Sequence, residues 1–295
     1  MRVLLTTDGS SEANSAMRTA CRLLTDSDRE VHVLHVAPEL RAPKSGKIPR
    51  RIYQHRVTEN TKRVLEDAKR LLTEEGVDAL TLCQSGSPAT VIMRESDEYD
   101  ITVIGAKGSN ARSEVGLGPV ASRLVEHASG CVLVGREPPG DRQFRILVPV
   151  DGSDGSEQGL DALVSMFDID SAEIKLLHVV ETMWLPVAED AGSGATPTPE
   201  SAEAIQIAGE LRREAEQLLN EARRRISPHH SAISMSVREG VPANEILAEA
   251  DQGDYDLVVV GATSATDMKH RVLGSVSSKI AWNAPCSVLV VRVPE

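Results

Sequence analysis

The chain repeats itself once over nearly its whole length, and that limits what it can fold into more than any other feature. The segment Arg2-Val-Leu-Leu-Thr-Thr-Asp-Gly-Ser10 returns 143 residues later as Arg145-Ile-Leu-Val-Pro-Val-Asp-Gly-Ser153. Val33-Leu-His-Val36 matches Leu176-Leu-His-Val179 at the same offset. Tyr99-Asp-Ile-Thr-Val-Ile-Gly-Ala106 matches Tyr255-Asp-Leu-Val-Val-Val-Gly-Ala262 at an offset of 156, which Gly118 with Gly274 and Val132-Leu-Val134 with Val288-Leu-Val290 also keep. The extra residues of the second copy fall between these blocks, where loops absorb insertions at little cost. A single long repeat implies two copies of one folding unit, and 295 residues suffice to bury two ordinary cores. The expected domains are 1–137 and 143–295, joined through Glu137-Pro-Pro-Gly140, whose prolines mark the break.

Within each copy, short Val/Leu/Ile runs alternate with longer stretches of helical period, the pattern of a parallel sheet wrapped by crossover helices. Strands are expected near 2–7, 31–36, 79–84, 100–105 and 131–135, and again near 145–150, 173–179, 232–238, 256–261 and 287–292. Helices near 11–25, 55–75, 87–96 and 119–128 separate the first set. Aromatic residues are only 2% of the chain, so the core must be Val, Leu, Ile and Ala, and stacking platforms for single-stranded nucleic acid are scarce. A net charge of -12 argues against general polyanion binding, which needs a basic face. Cys21, Cys83, Cys131 and Cys286 lie far apart and are expected to be buried small apolar residues, neither zinc ligands nor a disulfide framework. No apolar run reaches the roughly eighteen residues of a membrane span, and a cytoplasmic protein is expected.

Ligands of open parallel sheets sit beyond the carboxyl ends of the strands, so the loops there carry the chemistry. After the first strand, Asp8 or Asp151 could accept hydrogen bonds from a ribose hydroxyl or an adenine amine, or could equally cap the following helix. After the fourth strand, Gly105-Ala-Lys-Gly108 to Gly118, and Gly261-Ala-Thr-Ser264 to Gly274-Ser275, could cradle phosphates. Glycines at positive φ would turn successive amides toward the anion, and the next helix would add its positive end. At the end of the second strand, the backbone at Val36 or Val179 could pair with an adenine edge. His35 and His178 are expected to be structural.

These residues resemble the universal stress protein family, whose ATP-binding members carry Gly-x-x-Gly, nine residues, then Gly-Ser or Gly-Thr. The resemblance covers both copies. It includes the Asp-Gly-Ser opening, Gly86-Ser-Pro88, Gly240-Val-Pro242 and the closing Ala284-Pro-Cys-Ser-Val-Leu-Val-Val291. It implies a tandem member with two adenine nucleotide α-hydrolase-like (Rossmann-like) α/β domains, each a five-stranded parallel sheet flanked by helices. It also implies dimerisation through the last strand and an adenine nucleotide (ATP, or ADP or AMP) with Mg2+ carried by the nucleotide. The candidate contacts are Asp8, Val36, Gly105, Gly108, Gly118 and Ser122 in the first half. In the second half they are Asp151, Val179, Gly261, Ser264, Gly274, Ser275, Val276 and Ser277. Each half departs from the family pattern. In the first, Pro119 replaces Ser or Thr, removing an amide and a hydroxyl, and Ala121 stands where the second has Ser277. In the second, Ser264 replaces a glycine and would resist a left-handed backbone. The second site is expected to bind better, and the first more weakly or with fewer phosphates.

Two loops after the second strands differ in charge. Residues 38–57 carry Arg41, Lys44, Lys47, Arg50, Arg51 and Arg56, while 181–200 carry Glu181, Glu189, Asp190 and a Gly/Ser/Thr/Pro stretch that reads as a flap or disordered segment. No Gly-x-x-x-x-Gly-Lys-Ser/Thr loop and no positioned base is present, so any hydrolysis would be slow. A hydrolase of the α-hydrolase group would need Ser-Gly-Gly-x-Asp-Ser after the first strand, where this chain has Asp-Gly-Ser. Decayed sites serving only a scaffold or partner-binding module remain an alternative. The last strands are expected to pair within the chain as a pseudo-dimer, leaving a further homodimer and protein partners open.

Overall fold

The computed structural model describes residues 1–24, 29–39, 50–109, 116–137, 140, 142–170, 172–181, 202–230, 232–262 and 273–292. The first half runs β1 (Arg2–Thr6), α1 (Ser11–Leu23), β2 (Glu30–Ala37), α2 (Arg50–Glu74), β3 (Leu80–Ser85), α3 (Pro88–Ser96), β4 (Ile101–Gly105), α4 (Pro119–His127) and β5 (Cys131–Gly135). The second repeats it as β6 (Arg145–Pro149), α5 (Asp154–Met166), β7 (Glu173–Val180), α6 (Ala202–Ile226), β8 (Ile233–Glu239), α7 (Pro242–Gln252), β9 (Leu257–Gly261), α8 (Ser275–Asn283) and β10 (Ser287–Val291). The strands are the β-branched and leucine runs of the sequence. The helices start where their caps dictate: Ser10 and Ser153 accept from the amides of Ala13 and Ser156, and Pro88, Pro119 and Pro242 occupy first-turn positions that need no N–H. One boundary differs from expectation. α2 begins at Arg50, so Arg50, Arg51 and Arg56 belong to a helix and not to a basic loop, because arginine favours helix whatever its charge. Arg41, Lys44, Lys47 and the stretch 182–200 lie outside the described residues.

All ten strands form one sheet, in the order β3-β2-β1-β4-β5-β10-β9-β6-β7-β8. Within each half the pairing is parallel. Alternate side chains feed two apolar layers, Val3 and Leu5 into one and Leu4 into the other, and both layers draw residues from the two halves. The inner strands β4, β5 and β10 are buried at every position, whereas the edge strands β3 and β8 are largely half-exposed or exposed. The positions where β4 and β9 end pack tightly on helix backbone. A Cβ on Gly105 would stand 2.9 Å from the Glu12 carbonyl carbon, and one on Gly261 2.3 Å from the Gly155 oxygen.

The halves join through the one antiparallel pairing between named strands, Val132 with Val290, Leu133 with Leu289 and Val134 with Val288. The two arginines that follow these strands reach across it. Arg136 donates from its amide to Ser287 Oγ (2.9 Å) and from Nη1 to the Cys286 carbonyl (2.5 Å), and Arg292 donates from Nη2 to the Val125 carbonyl (2.6 Å). Burial lowers both guanidinium pKa values, yet these groups stay charged at any ordinary pH. Val125 lies in the last turn of α4, where a cation also meets the negative end of the helix. A second seam links Leu24 and Phe167 as a bridge, with the Asp168 amide on the Leu23 carbonyl at 2.8 Å.

The cysteines do not share one environment. Cys131 and Cys286 are buried as expected, but Cys21 is half-buried and Cys83 is exposed, because β3 is an edge strand with nothing beyond it in the sheet. Burial raises the Cys131 thiol and pushes Cys286 up to about 12. At neutral pH a thiol-disulfide reagent should therefore titrate Cys83 in the native protein and reach Cys131 and Cys286 only after unfolding; a Cys83→Ala variant should lose the native reaction at that residue. Leu289 is wholly buried at the seam. Leu289→Ala should lower the unfolding free energy by roughly 2–5 kcal/mol, measured by urea denaturation.

Candidate functional site

The loop leaving the first strand of each half is shaped by its glycine. Gly9 and Gly152 have φ of +80° and +77°, a region L side chains avoid, and a Cβ on Gly152 would stand 2.7 Å from Leu218 Cδ1 on α6. The long helix after the second strand thus lies against this loop. Serine, not aspartate, caps the following helix, so the carboxylates serve otherwise. Asp8 Oδ1 accepts the Ser10 amide (3.0 Å) and Oδ2 the Ser109 amide (2.7 Å), linking the first loop to the glycine loop after β4. Burial pushes the Asp8 pKa up, but hydrogen bonds from Ser10 and Ser109 outweigh it and hold the carboxyl below its ordinary value. Asp151 Oδ1 accepts the amide (3.0 Å) and hydroxyl (2.5 Å) of Ser153.

The glycine loops work differently from expectation. Gly105, Gly108, Gly118, Gly261 and Gly274 do not adopt positive φ; the loop glycine that does is Gly116, at +87°. At Gly105, Gly108 and Gly261 the missing side chain supplies space instead: a Cβ on Gly108 would come within 2.7 Å of Asp8 Oδ2. The expectation of a left-handed backbone at the Gly108 position therefore fails in the first half. Ser264 itself lies outside the described residues, as does the rest of 263–272 with Lys269 and Arg271. Gly118 and Gly274 precede α4 and α8, with their amides on the Ala106 and Ala262 carbonyls at 2.8 and 2.7 Å. At the start of α8, Ser275, Val276 and Ser277 contribute three amides without intrahelical acceptors; α4 contributes only those of Val120 and Ala121, because Pro119 has none. Ser277 Oγ donates to the Gly261 carbonyl at 2.6 Å, tying α8 to the end of β9, a tie that Ala121 cannot make. Ser122 sits a turn into α4 with its hydroxyl on Glu126 Oε1 at 3.1 Å.

In the second half these elements enclose a cavity of about 610 Å³, within the size range of small-molecule sites. Asp151, Val179, Gly261, Ser275, Val276 and Ser277 line it, while Gly274, the residue before α8, is not among the lining residues. The walls also include residues that the loop patterns do not single out: Leu211, Glu214, Ala215 and Leu218 on α6, and Ile246 on α7. Their signal in the sequence is the helical spacing of Leu211, Ala215 and Leu218, which by itself describes any core-facing stripe. Lining carboxylates are Asp151, Glu181 and Glu214, with no Lys or Arg among the lining residues described. His178 Nδ1 lies 2.7 Å from the Val150 carbonyl and His35 Nδ1 2.9 Å from the Thr7 carbonyl, so each carries its proton there and anchors the second strand to the first loop, the structural role expected. In the first half, Val36 pairs with Gln84 at the end of β2. Among the described residues, no His/Cys/Asp/Glu cluster could hold a metal and no helix is long and apolar enough to cross a membrane.

The profile of the universal stress protein family matches residues 1–136 and again 144–292. The chain belongs to the universal stress protein family. A universal stress protein of Mycolicibacterium smegmatis is 27% identical over 304 residues, spanning 98% of this chain and 96% of its own. Universal stress protein YxiE of Bacillus subtilis is 32% identical over 148 residues, half of this chain and 98% of its own. Among solved structures, a universal stress protein from Archaeoglobus fulgidus superposes with a TM-score of 0.64 at 18% identity, covering 99% of this chain and 98% of that one, a likeness of fold. The α/β Rossmann-like architecture is thus that of the family, present in this chain twice in tandem.

The Asp8 link makes a stability prediction with a defined sign. Because its folded pKa is lowered, its contribution is present above the ordinary carboxylate pKa of about 4 and is lost as pH falls through the folded value. Asp8→Asn should therefore lower the melting temperature at pH 7 but leave the difference from wild type smaller near pH 3, measured by thermal melts across that range.

Proposed function

We propose that this protein binds an adenine nucleotide and acts in stress response or regulation through that occupancy, with the second half as the tighter site. The observation that carries the reading is the cavity beside α8, where an apolar floor and three helix-start amides converge. Val150, Leu177, Val179, Ile246 and Leu218 offer surface for a purine. Asp151, at the exit of β6, is placed to accept from ribose hydroxyls. The amides of Ser275, Val276 and Ser277 and the positive end of α8 suit phosphate oxygens. Three lining carboxylates oppose a bare triphosphate, so the nucleotide would enter with Mg2+ shielding its charge or with fewer phosphates. Val36, Gly105, Gly108, Gly118 and Ser122 would form the corresponding first-half site around Asp8. That site is weaker, because Asp8 already takes the Ser109 amide and Pro119 removes another.

A second reading rests on the same two features of the first half: a loop closed on its own carboxylate and short of one amide suits a scaffold that binds partner proteins. Calorimetric titration of ATP with Mg2+ into nucleotide-stripped protein separates the two. Gly274→Asp should weaken the tighter phase at least about tenfold by setting a carboxylate against the phosphates, and Gly118→Asp should remove only the weaker phase. Omitting Mg2+ should weaken ATP more than AMP. No heat with any adenine nucleotide at several temperatures, and no rise in melting temperature, would leave the scaffold reading.

A further inference from the structure

We propose that Trp282, on the last helix of the second half, positions the glycine loop of the first half, making that loop a composite of both halves. The functional consequence rests on the nucleotide reading above; the geometry does not. Gly116 holds φ of +87°, and a Cβ there would stand 3.1 Å from Trp282 Cε3 and 3.4 Å from Cζ3. Glycine is thus needed twice, for the backbone angle and for the indole lying against it. Trp282 is still 36% exposed, so its ring covers the loop without filling a core. The next two residues are held by other means. Leu117 packs into the apolar layer and the Gly118 amide donates to the Ala106 carbonyl at 2.8 Å. Three consecutive residues are therefore fixed by the other half, by the core and by a hydrogen bond, immediately before the α4 amides that would face a ligand.

At the 156-residue offset the position matching Trp282 is Glu126, which accepts from Ser122 on its own helix. The same nine-residue helix α8 that begins at the second-half cavity carries Trp282 near its end. A loop held in its binding geometry before the ligand arrives loses less entropy on binding, so removing the brace weakens affinity without deleting any ligand contact.

The test uses the full chain with Trp184→Phe, which leaves Trp282 as the remaining one of two tryptophans. Trp282→Ala and Trp282→Phe are compared for amide hydrogen exchange over residues 116–122 without ligand, and for ATP–Mg2+ affinity in a Gly274→Asp background that isolates the first loop. Trp282→Ala should speed exchange at Gly116 to Gly118 by roughly tenfold or more and weaken first-loop affinity about three- to tenfold, with Phe restoring most of both. Affinity measured in a Gly118→Asp background should not change. Trp282 emission should respond to ATP in Gly274→Asp protein and not in Gly118→Asp protein. Unchanged exchange in Trp282→Ala overturns the inference, as does unchanged first-loop affinity. Faster exchange in a protein that binds no ATP would keep the brace and reject the nucleotide reading instead.

Discussion

The antiparallel pairing of β5 with β10 is the contact on which the rest of the molecule depends. Each half by itself would end in an open edge of Val and Leu, buried on both faces and unpaired along its backbone. Laying the two edges together satisfies those amides and carbonyls and merges two five-stranded sheets into one of ten. It also makes each apolar layer continuous between the halves, so neither core is complete without the other. Arg136 and Arg292 are equivalent residues of the two halves, and each guanidinium crosses the seam to carbonyls of the opposite half, Arg136 just before β10 and Arg292 in the last turn of α4.

That near-symmetry makes the departures from it informative. Both halves keep a positive-φ glycine in the Asp-Gly-Ser loop, a serine cap and a histidine anchored to a loop carbonyl. They diverge where a ligand would be contacted. The first half has Pro119, Ala121 and an Asp8 engaged with its own glycine loop; the second has Ser275, Ser277 and an Asp151 engaged only with Ser153 among the contacts described. They diverge again toward the other end of the sheet. A Lys175–Glu249–Arg238 cluster around the buried Glu249, with the Tyr255 hydroxyl on Glu249, stands in the second half where the first has His32 against Tyr99. In the second cluster Glu249 is held below its ordinary pKa: burial raises it, and the hydrogen bonds from Lys175 and Tyr255 with the nearby cations overcome that. Duplication supplied one frame, and the two copies then took different polar solutions within it.

Membership of the universal stress protein family accounts for the frame, and the cavity gives it a chemical meaning. Most of the wall is aliphatic because the strands are, which suits a flat apolar ring. The polar groups that would orient a ligand come from backbone at a helix start and from short side chains in tight turns. Such groups are preorganised by the fold, so under the proposed nucleotide reading the site would need few charged side chains to recognise phosphate.

The sequence by itself determined the repeat, the order of strands and helices and the side of the sheet on which loops gather, because periodicity and turn residues are local properties of the chain. It also marked Asp151, Val179, Gly261, Gly274, Ser275 and Ser277, since strand ends and helix starts have local signatures. Only the tertiary structure decided what Asp8 touches, that Gly105 and Gly261 serve close helix packing instead of a left-handed turn, that α6 walls the cavity and that Cys83 lies on an edge. Each of these depends on which distant segment comes to rest against the residue. The Trp282 contact with Gly116 is the extreme case: nothing near either residue in the chain names the other, and only the closure of one half on the other brings them together.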